Sequence, residues 1–123
     1  MDLSGTIESC GEDVVGYADG DAVCGGARFS GYADYAVAKA DGLQHKPDNF
    51  SFAEAASYSA AYLTAYVALV RRGRLQAGET LLVHGASGGV GMAAVDVGKL
   101  LGATVIATGG SDEKLAKVKA FGA

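Results

Sequence analysis

The residues of this chain whose spacing points most directly to chemistry are four closely spaced glycines, Gly85, Gly88, Gly89 and Gly91. An apolar run, Thr80 to Val83, precedes them, and a helical pattern from about Val90 to Leu101 follows. After Gly102 a second β-branched run begins, from Thr104 to Thr108. A strand, a glycine turn, a helix and a strand within about 30 residues form the layout of a dinucleotide-binding βαβ unit.

Each glycine of the turn has a separate physical role. The segment fits the G-x-G-x-x-G spacing with Ala86 at the first position. Gly88 would let the backbone approach a pyrophosphate, and Gly91 would let the helix pack closely on the strands. The phosphates would bind free N–H groups at the helix N-terminus. The predicted contacts are Ala86, Ser87, Gly88, Gly89, Val90 and Gly91. The alternative is a plain strand-to-helix turn in a glycine-rich chain.

The same residues partly match two other motifs. A phosphate-binding P-loop requires Lys followed by Ser or Thr after its last glycine, and Met92 and Ala93 stand there instead. The spacing G-x-S-x-G would make Ser87 a hydrolase nucleophile, which requires a later acid and then a later histidine. His45 and His84 both precede Ser87, so a hydrolase remains open only if a further C-terminal part supplied the histidine.

The end of the second strand favours NADP(H) as the cofactor. Units that bind NAD usually place a carboxylate there for the ribose 2′-hydroxyl, but the strand runs into Thr108, Gly109, Gly110 and Ser111. Asp112 lies inside the next helix, where it would serve the helix dipole. Ser111 and Lys114 would instead hold a 2′-phosphate by hydroxyl and point charge. The alternative for Lys114 is a solvated surface side chain.

Composition favours a compact α/β protein in the cytoplasm. Half of the 123 residues are hydrophobic, a fifth are charged, and the net charge of −4 argues against nucleic acid or an anionic membrane as partner. No secretory signal is visible. The stretch Phe52 to Val70 contains Glu54 and is predicted to be a buried helix, not a membrane span. Cys10 and Cys24 are too few for an all-cysteine zinc site and are expected as reduced thiols, with a disulfide left open.

Several other elements must position these residues. Residues 1–50 contain short β-like runs separated by turns, namely Leu3 to Ser9, Asp21 to Cys24 and Tyr32 to Ala38. Ser51 and Glu54 form a capping box that opens a helical region reaching about Arg72, where Gly73 ends it. Ser111 is the predicted N-cap of the last helix, which ends at Gly122. His45 is predicted to lie in a loop, and His84 to have a structural role.

With these motifs in place, the chain resembles the quinone oxidoreductase/zeta-crystallin branch of the medium-chain dehydrogenase/reductase superfamily. Gly78-Glu79, Leu82, Ala86 to Gly89, Gly91 and Lys99 follow that branch's signature. Asp96 departs from it, because the family usually has Gln there. The resemblance extends to the segments Asp2 to Ile7, Gly31 to Tyr35 and Tyr62 to Tyr66.

The resemblance implies an architecture. Residues 1–50 would be the C-terminal part of a GroES-like β domain, residues 51–74 a connecting helical region, and residues 75–123 the first βαβα portion of a Rossmann NADP-binding domain. The chain would then be an internal fragment of a longer, homodimeric parent. Gly110 and Lys114 match family contacts to the 2′-phosphate, and Thr64 would lie near the nicotinamide. Tyr58, Tyr62 and Tyr66 share one helix face, which either packs the two halves together or places Tyr62 at the cleft.

The implied activity is a zinc-independent, NADPH-dependent reduction of a quinone or an α,β-unsaturated carbonyl. Zinc-dependent relatives carry His-Glu where this chain has Met1 and Asp2, and Cys where it has Ala60. Because the cofactor carries the chemistry, no catalytic residue is named. Two alternatives remain open: an enoyl-reductase domain of a fatty-acid or polyketide synthase, and a non-catalytic NADPH-binding relative.

Overall fold

The structure, a computed structural model, describes residues 1–29 and 31–123. The chain divides into two compact units, Met1–Ala60 and Ala61–Ala123. The first unit is built on an antiparallel sheet and the second on a parallel pair of strands. The predicted three-part division at residues 50 and 74 stays a prediction.

The first unit contains a three-stranded antiparallel sheet. Its strands are β1 (Asp2–Thr6), β2 (Ala22–Gly26) and β3 (Leu43–His45), with β2 in the centre. Ser4 lies opposite Cys24 in the register of β1 and β2. Val23 and Cys24 are buried, as expected for the central strand.

Two expectations for this unit were wrong. The run Tyr32 to Ala38 forms bends and irregular backbone, and Tyr32 and Val37 are each 96% exposed. β-branched and aromatic residues form a strand only where a neighbouring strand accepts their hydrogen bonds and covers one face. The third strand is instead β3, which follows a single 3₁₀ turn, Ala40–Gly42, and places His45 in a strand and not in a loop.

Helix α1 (Phe52–Tyr66) begins at the predicted capping box. The Glu54 N–H donates to Ser51 Oγ at 3.2 Å, and the Ser51 N–H donates to Glu54 Oε2 at 2.8 Å. The helix continues as a π-helical segment, Val67–Arg72, and Gly73 ends it by donating its N–H to the Ala68 carbonyl. Both ends of the predicted helical region are therefore confirmed.

The expectation that this helix is buried was wrong. Only Ala55 and Ala65 are buried among the residues of α1, whereas Leu63 is 65% and Tyr66 is 46% exposed. The two buried residues are both alanines, so α1 packs through small side chains only. The larger side chains on its other faces stay exposed.

The second unit contains the predicted βαβ arrangement. Strand β4 (Thr80–Val83) leads to helix α2 (Gly89–Leu100), and α2 leads to strand β5 (Thr104–Ala107), which pairs with β4 in parallel. Helix α3 (Asp112–Phe121) follows. The buried core consists of Val83, Ala86, Val95 and Val118, which come from β4, the turn after it and both helices. Two partly buried residues of β5, Val105 and Ala107, pack against this core.

Gly98 within α2 sets how the helix packs, and Gly102 just after it sets where the helix ends. A Cβ added at Gly98 would lie 2.6 Å from Leu81 Cδ2 and 3.2 Å from Val105 Cγ2, so this position allows close contact with both strands. Gly102 has φ +79° and donates to the Lys99 carbonyl, while the Ala103 N–H donates to the Gly98 carbonyl. This pair of bonds is a Schellman motif and confirms the predicted helix end.

Within the two described ranges, no helix combines the length and the apolar character that crossing a membrane requires.

Candidate nucleotide-binding site

The glycine turn lies between the carboxyl end of β4 and the first turn of α2. Gly91 makes the turn compact, because an added Cβ there would lie 2.6 Å from the Gly85 carbonyl oxygen and 2.7 Å from Ala86 Cα. Gly91 does allow a close approach, as predicted. It brings α2 close to the backbone of the turn, however, and not to the strands. The tight contact with the strands is made at Gly98, for which the sequence predicted no role.

The outer side of the turn is open. A Cβ at Gly89 would meet no atom within 4 Å, and one at Gly88 would meet only the Gly85 oxygen, at 3.5 Å. Gly88 caps α2 without a side-chain hydrogen bond. Within the described chain, no protein acceptor bonds the N–H groups of Gly89, Val90 and Gly91. A side chain on Gly88 or Gly89 would occupy this cradle, and the cradle fits an anionic diphosphate at a helix N-terminus.

Ala86 and Ser87 differ in what they can offer a ligand. Ala86 is fully buried in the core, and its N–H donates to the Thr108 carbonyl at 3.0 Å. Ser87 is exposed within the turn, and Val90 is 46% exposed on the first turn of α2. Ala86 therefore supports the turn from inside, whereas Ser87 and Val90 lie where a bound molecule would reach them.

The ends of the two parallel strands are joined by His84 and Thr108. His84 Nδ1 and Thr108 Oγ1 share a hydrogen bond of 3.0 Å. The Thr108 N–H also donates to the Val83 carbonyl at 2.9 Å. This bond gives His84 a partner within the fold, and its structural role stays a prediction. Thr108 was absent from the predicted site, although a hydroxyl at the end of β5 is a usable signal.

The predicted 2′-phosphate residues lie at the start of α3. Ser111 caps the helix by accepting the Lys114 N–H at 3.4 Å, which confirms the predicted N-cap and leaves its O–H able to donate. Lys114 is exposed and forms no ion pair with any described carboxylate, whereas Glu113 pairs with Lys117 at 3.2 Å. Gly110 is exposed with no atom within 4 Å of an added Cβ. An anion could therefore reach all three predicted residues.

The tyrosines on one face of α1 have different environments. The Tyr62 hydroxyl donates to Asp96 Oδ2 at 2.8 Å. Partial burial, and then the hydrogen bond and negative charge of Asp96, raise the pKa of Tyr62 to about 12. Tyr58 packs edge-on against Phe50 at 5.4 Å and is bonded to Gln44. The predicted nicotinamide contact, Thr64, is exposed on α1 in the same unit as the glycine turn, and its role stays a prediction.

The described residues hold no group of three or more His, Cys, Asp or Glu side chains that could bind a metal ion. Cys10 and Cys24 are both free thiols. Desolvation, followed by Asp19 and Asp21, raises the pKa of Cys10 above its ordinary value, which favours an unreactive thiol over a thiolate.

The first unit contains an open cavity of about 1070 Å³. Residues of β1 and the segment from Tyr32 to Val37 line it, and it includes none of the predicted site residues. Its lining includes acidic side chains, among them Asp2, Glu8 and Asp34. The glycine turn remains the candidate site because it lies between the strand and the helix of the predicted βαβ unit.

No family model matches the chain. Individual relatives do. The chain is 38% identical over 113 residues to the quinone oxidoreductase of Homo sapiens. This match covers 91% of the chain and 34% of that protein. It is 42% identical over 115 residues to the highly reducing polyketide synthase easB of Emericella nidulans, covering 92% of the chain and 4% of the synthase.

The solved structures include similar folds. The mycobacterial protein Rv1454c, solved in complex with NADPH, matches with a TM-score of 0.93 and 32% identity over 99% of the chain and 38% of its own. The chain spans about a third of the length of the quinone oxidoreductases that it matches. From its sequence and its structure together, the chain belongs to the medium-chain dehydrogenase/reductase superfamily, among the quinone oxidoreductase-like members.

Proposed function

We propose that the chain is part of a zinc-independent, NADPH-dependent oxidoreductase that transfers hydride to a quinone or an α,β-unsaturated carbonyl. The observation that carries the proposal is the open glycine turn, with its unpaired N–H groups at the N-terminus of α2. This turn lies at the carboxyl end of the parallel strands, where α/β folds bind dinucleotides. The names of the matched quinone oxidoreductases support the substrate class.

We extend the proposal to the architecture. The antiparallel sheet of residues 1–50 would be the end of a GroES-like domain, and residues 75–123 would open a Rossmann domain. The parallel pairing of β4 with β5 around α2 supports the second assignment. The homodimeric parent and the cytoplasmic location stay predictions.

The residues of the site would divide the cofactor between them. The amides from Gly89 to Gly91 would bind the diphosphate, while Ser111 and Lys114, beside Gly110, would hold the 2′-phosphate by hydroxyl and ammonium. Thr64 would orient the nicotinamide ring from α1. NADPH, when bound, supplies the hydride, and the protein contributes binding and orientation.

A second function is favoured by one comparison. The match to a polyketide synthase favours an enoyl-reductase domain, which would reduce an activated alkene on an acyl chain. Both functions use the same nucleotide site and differ in the substrate that accepts the hydride. Reduction of a crotonyl thioester but not of a quinone by the full-length parent would favour the enoyl reductase.

Calorimetric titration of the chain with NADPH and with NADH tests the proposal. We expect NADPH to bind more tightly, and Lys114→Ala to weaken the binding of NADPH alone by about ten- to a hundredfold, since one charge-assisted contact is worth about 1.5–3 kcal/mol. Lys119→Ala, on the same helix and without an ion pair to any described carboxylate, is the matched control. Gly88→Ala should weaken both cofactors, because its Cβ enters the cradle.

Three results would count against this function. Binding of neither cofactor by the folded chain would remove the nucleotide site. Equal effects of Lys114→Ala and Lys119→Ala would remove the specific role of Lys114. Unchanged affinity in Gly88→Ala would show that the diphosphate does not approach the turn.

A further inference from the structure

The two halves of the candidate site are far apart in sequence and are connected through Thr108. The glycine turn follows β4, and the residues predicted to bind the 2′-phosphate follow β5. Three hydrogen bonds tie Thr108 to the segment 83–86: its N–H to the Val83 carbonyl, its carbonyl to the Ala86 N–H, and its hydroxyl to His84. Of these, only the bond to His84 depends on side-chain identity.

The fixed geometry at Thr108 extends toward α3. A Cβ added at Gly109 would lie 3.0 Å from Leu115 Cδ2, so the residue after Thr108 already packs against α3. Ser111 caps the same helix. The position of Thr108 therefore influences where the hydroxyl of Ser111 and the ammonium of Lys114 lie relative to the glycine turn.

We propose that the hydrogen bond between His84 and Thr108 sets the separation between the diphosphate-binding turn and the 2′-phosphate residues, and thereby contributes to selection of NADPH over NADH. This inference rests on the proposed function. His84 and Thr108 are positioning residues in it, acting through the two loops that they join.

Preorganisation of the two phosphate-binding loops is the physical reason for this effect. NADPH and NADH share their diphosphate and differ only in the 2′-phosphate, and covalent bonds fix the distance between those two groups. NADPH would be held both at the glycine turn and at the 2′-phosphate residues. If the spacing between these two sites is free to vary, binding must restrict that motion, and NADPH loses affinity. NADH, which would be held at the turn alone, loses less affinity. Loss of the bond should therefore reduce the ratio of the two affinities and not simply both affinities.

The test compares side chains that keep or remove the atom used in the bond. Asn places a polar atom at the same number of bonds from Cα as Nδ1, whereas Gln places it where Nε2 lies. We expect His84→Ala and Thr108→Val each to lower the NADPH-to-NADH affinity ratio by about three- to tenfold. His84→Asn should restore the ratio to within about twofold, and His84→Gln should not. All titrations use the complete chain.

The double variant His84→Ala/Thr108→Val adds a further constraint. If the two residues act through their shared bond, the ratio in the double variant equals that in either single variant. Thermal unfolding serves as the control, since His84 is exposed and its replacement should leave the fold intact.

The outcomes separate this inference from the proposed function. An unchanged ratio in Thr108→Val, with NADPH still bound, overturns the positioning role and leaves the function standing. An equal loss in His84→Asn and His84→Ala also overturns it, because the Nδ1 bond would not be the cause. Absence of nicotinamide cofactor binding by the unaltered chain overturns both proposals.

Discussion

The hydroxyl of Tyr62 donates a hydrogen bond of 2.8 Å to Asp96 Oδ2, and this bond joins α1 to α2 within the second unit. Asp96 is the position at which the sequence departs from the usual glutamine of the family signature. A carboxylate oxygen accepts a hydrogen bond from a phenol as an amide oxygen does, so the contact is compatible with the substitution. The carboxylate adds a negative charge beside the phenol, and this charge disfavours ionisation of the phenol.

Removal of the phenolic hydroxyl should destabilise the second unit. Tyr62→Phe leaves the partly buried Asp96 carboxylate without this donor, at an expected cost of about 1–2 kcal/mol in the free energy of unfolding. Urea unfolding followed by circular dichroism measures the change. Tyr66→Phe, at an exposed position one helical turn later, is the control and should change stability little. Equal effects of the two variants would contradict a specific role for the bond.

Alkaline pH should weaken the same contact. The pKa of Tyr62 is raised to about 12 in the folded chain, against about 10 for an ordinary tyrosine. Below pH 10 the phenol is neutral in both states, and its contribution to stability is complete. As the pH rises from 10 through 12, the unfolded chain releases the proton first, so this contribution is lost.

The difference in the free energy of unfolding between the unaltered chain and Tyr62→Phe isolates the titration of Tyr62 from that of the other groups that ionise at alkaline pH. The stability advantage of the unaltered chain should shrink steadily over this interval. An advantage that stays constant up to pH 12 would be inconsistent with the raised pKa.

A methyl group should be tolerated at Gly89 and not at Gly91. Gly91→Ala places a Cβ 2.6 Å from the Gly85 carbonyl oxygen, and the backbone there has little room to move. We expect a loss of about 1–3 kcal/mol from overpacking. Gly89→Ala meets open space and should change the free energy of unfolding by less than about 0.5 kcal/mol. Equal stabilities in a denaturant titration would show that the turn can widen.

The capping box of α1 can be tested through one carboxylate. The N–H of Ser51, and then its hydroxyl, donate to Glu54 and hold the pKa of that carboxyl below its ordinary value. Ser51→Ala keeps the N–H but removes the hydroxyl, so the pKa should rise part of the way toward 4.5 in an NMR titration. Ser57→Ala, whose hydroxyl bonds the Glu54 carbonyl, is the control.

The sign of the related pH effect follows from the direction of that shift. A lowered pKa stabilises the fold above pH 4.5, and this contribution is lost as the pH falls through the folded value. The contribution should therefore be smaller in Ser51→Ala. An unchanged Glu54 pKa in that variant would show that the backbone N–H alone holds the carboxylate.

Local patterns predicted much of the second unit. The order of β4, α2, β5 and α3 agrees with the predicted order, and so do the capping box at Ser51 and the helix end at Gly102. Each of these features depends on residues within a few positions of one another. Backbone conformation, capping and helical periodicity are local properties, and the sequence records them directly.

Contacts between distant residues could not be predicted in this way. The run from Tyr32 to Ala38 has strand-forming residues, yet β3 takes the place beside β2. Propensity does not specify which segment supplies the hydrogen-bonding partner. The close contact of Gly98 with Leu81 likewise depends on how α2 lies on the sheet.

By itself, the sequence determined a glycine turn between a strand and a helix, and with it the class of ligand to consider. Only the tertiary structure decided that Ala86 is turned into the core, that the sheet side of α2 depends on Gly98, and that His84 meets Thr108. The reason is physical: turn and helix signals arise from neighbouring residues, whereas these contacts exist only after parallel pairing has brought the ends of β4 and β5 together.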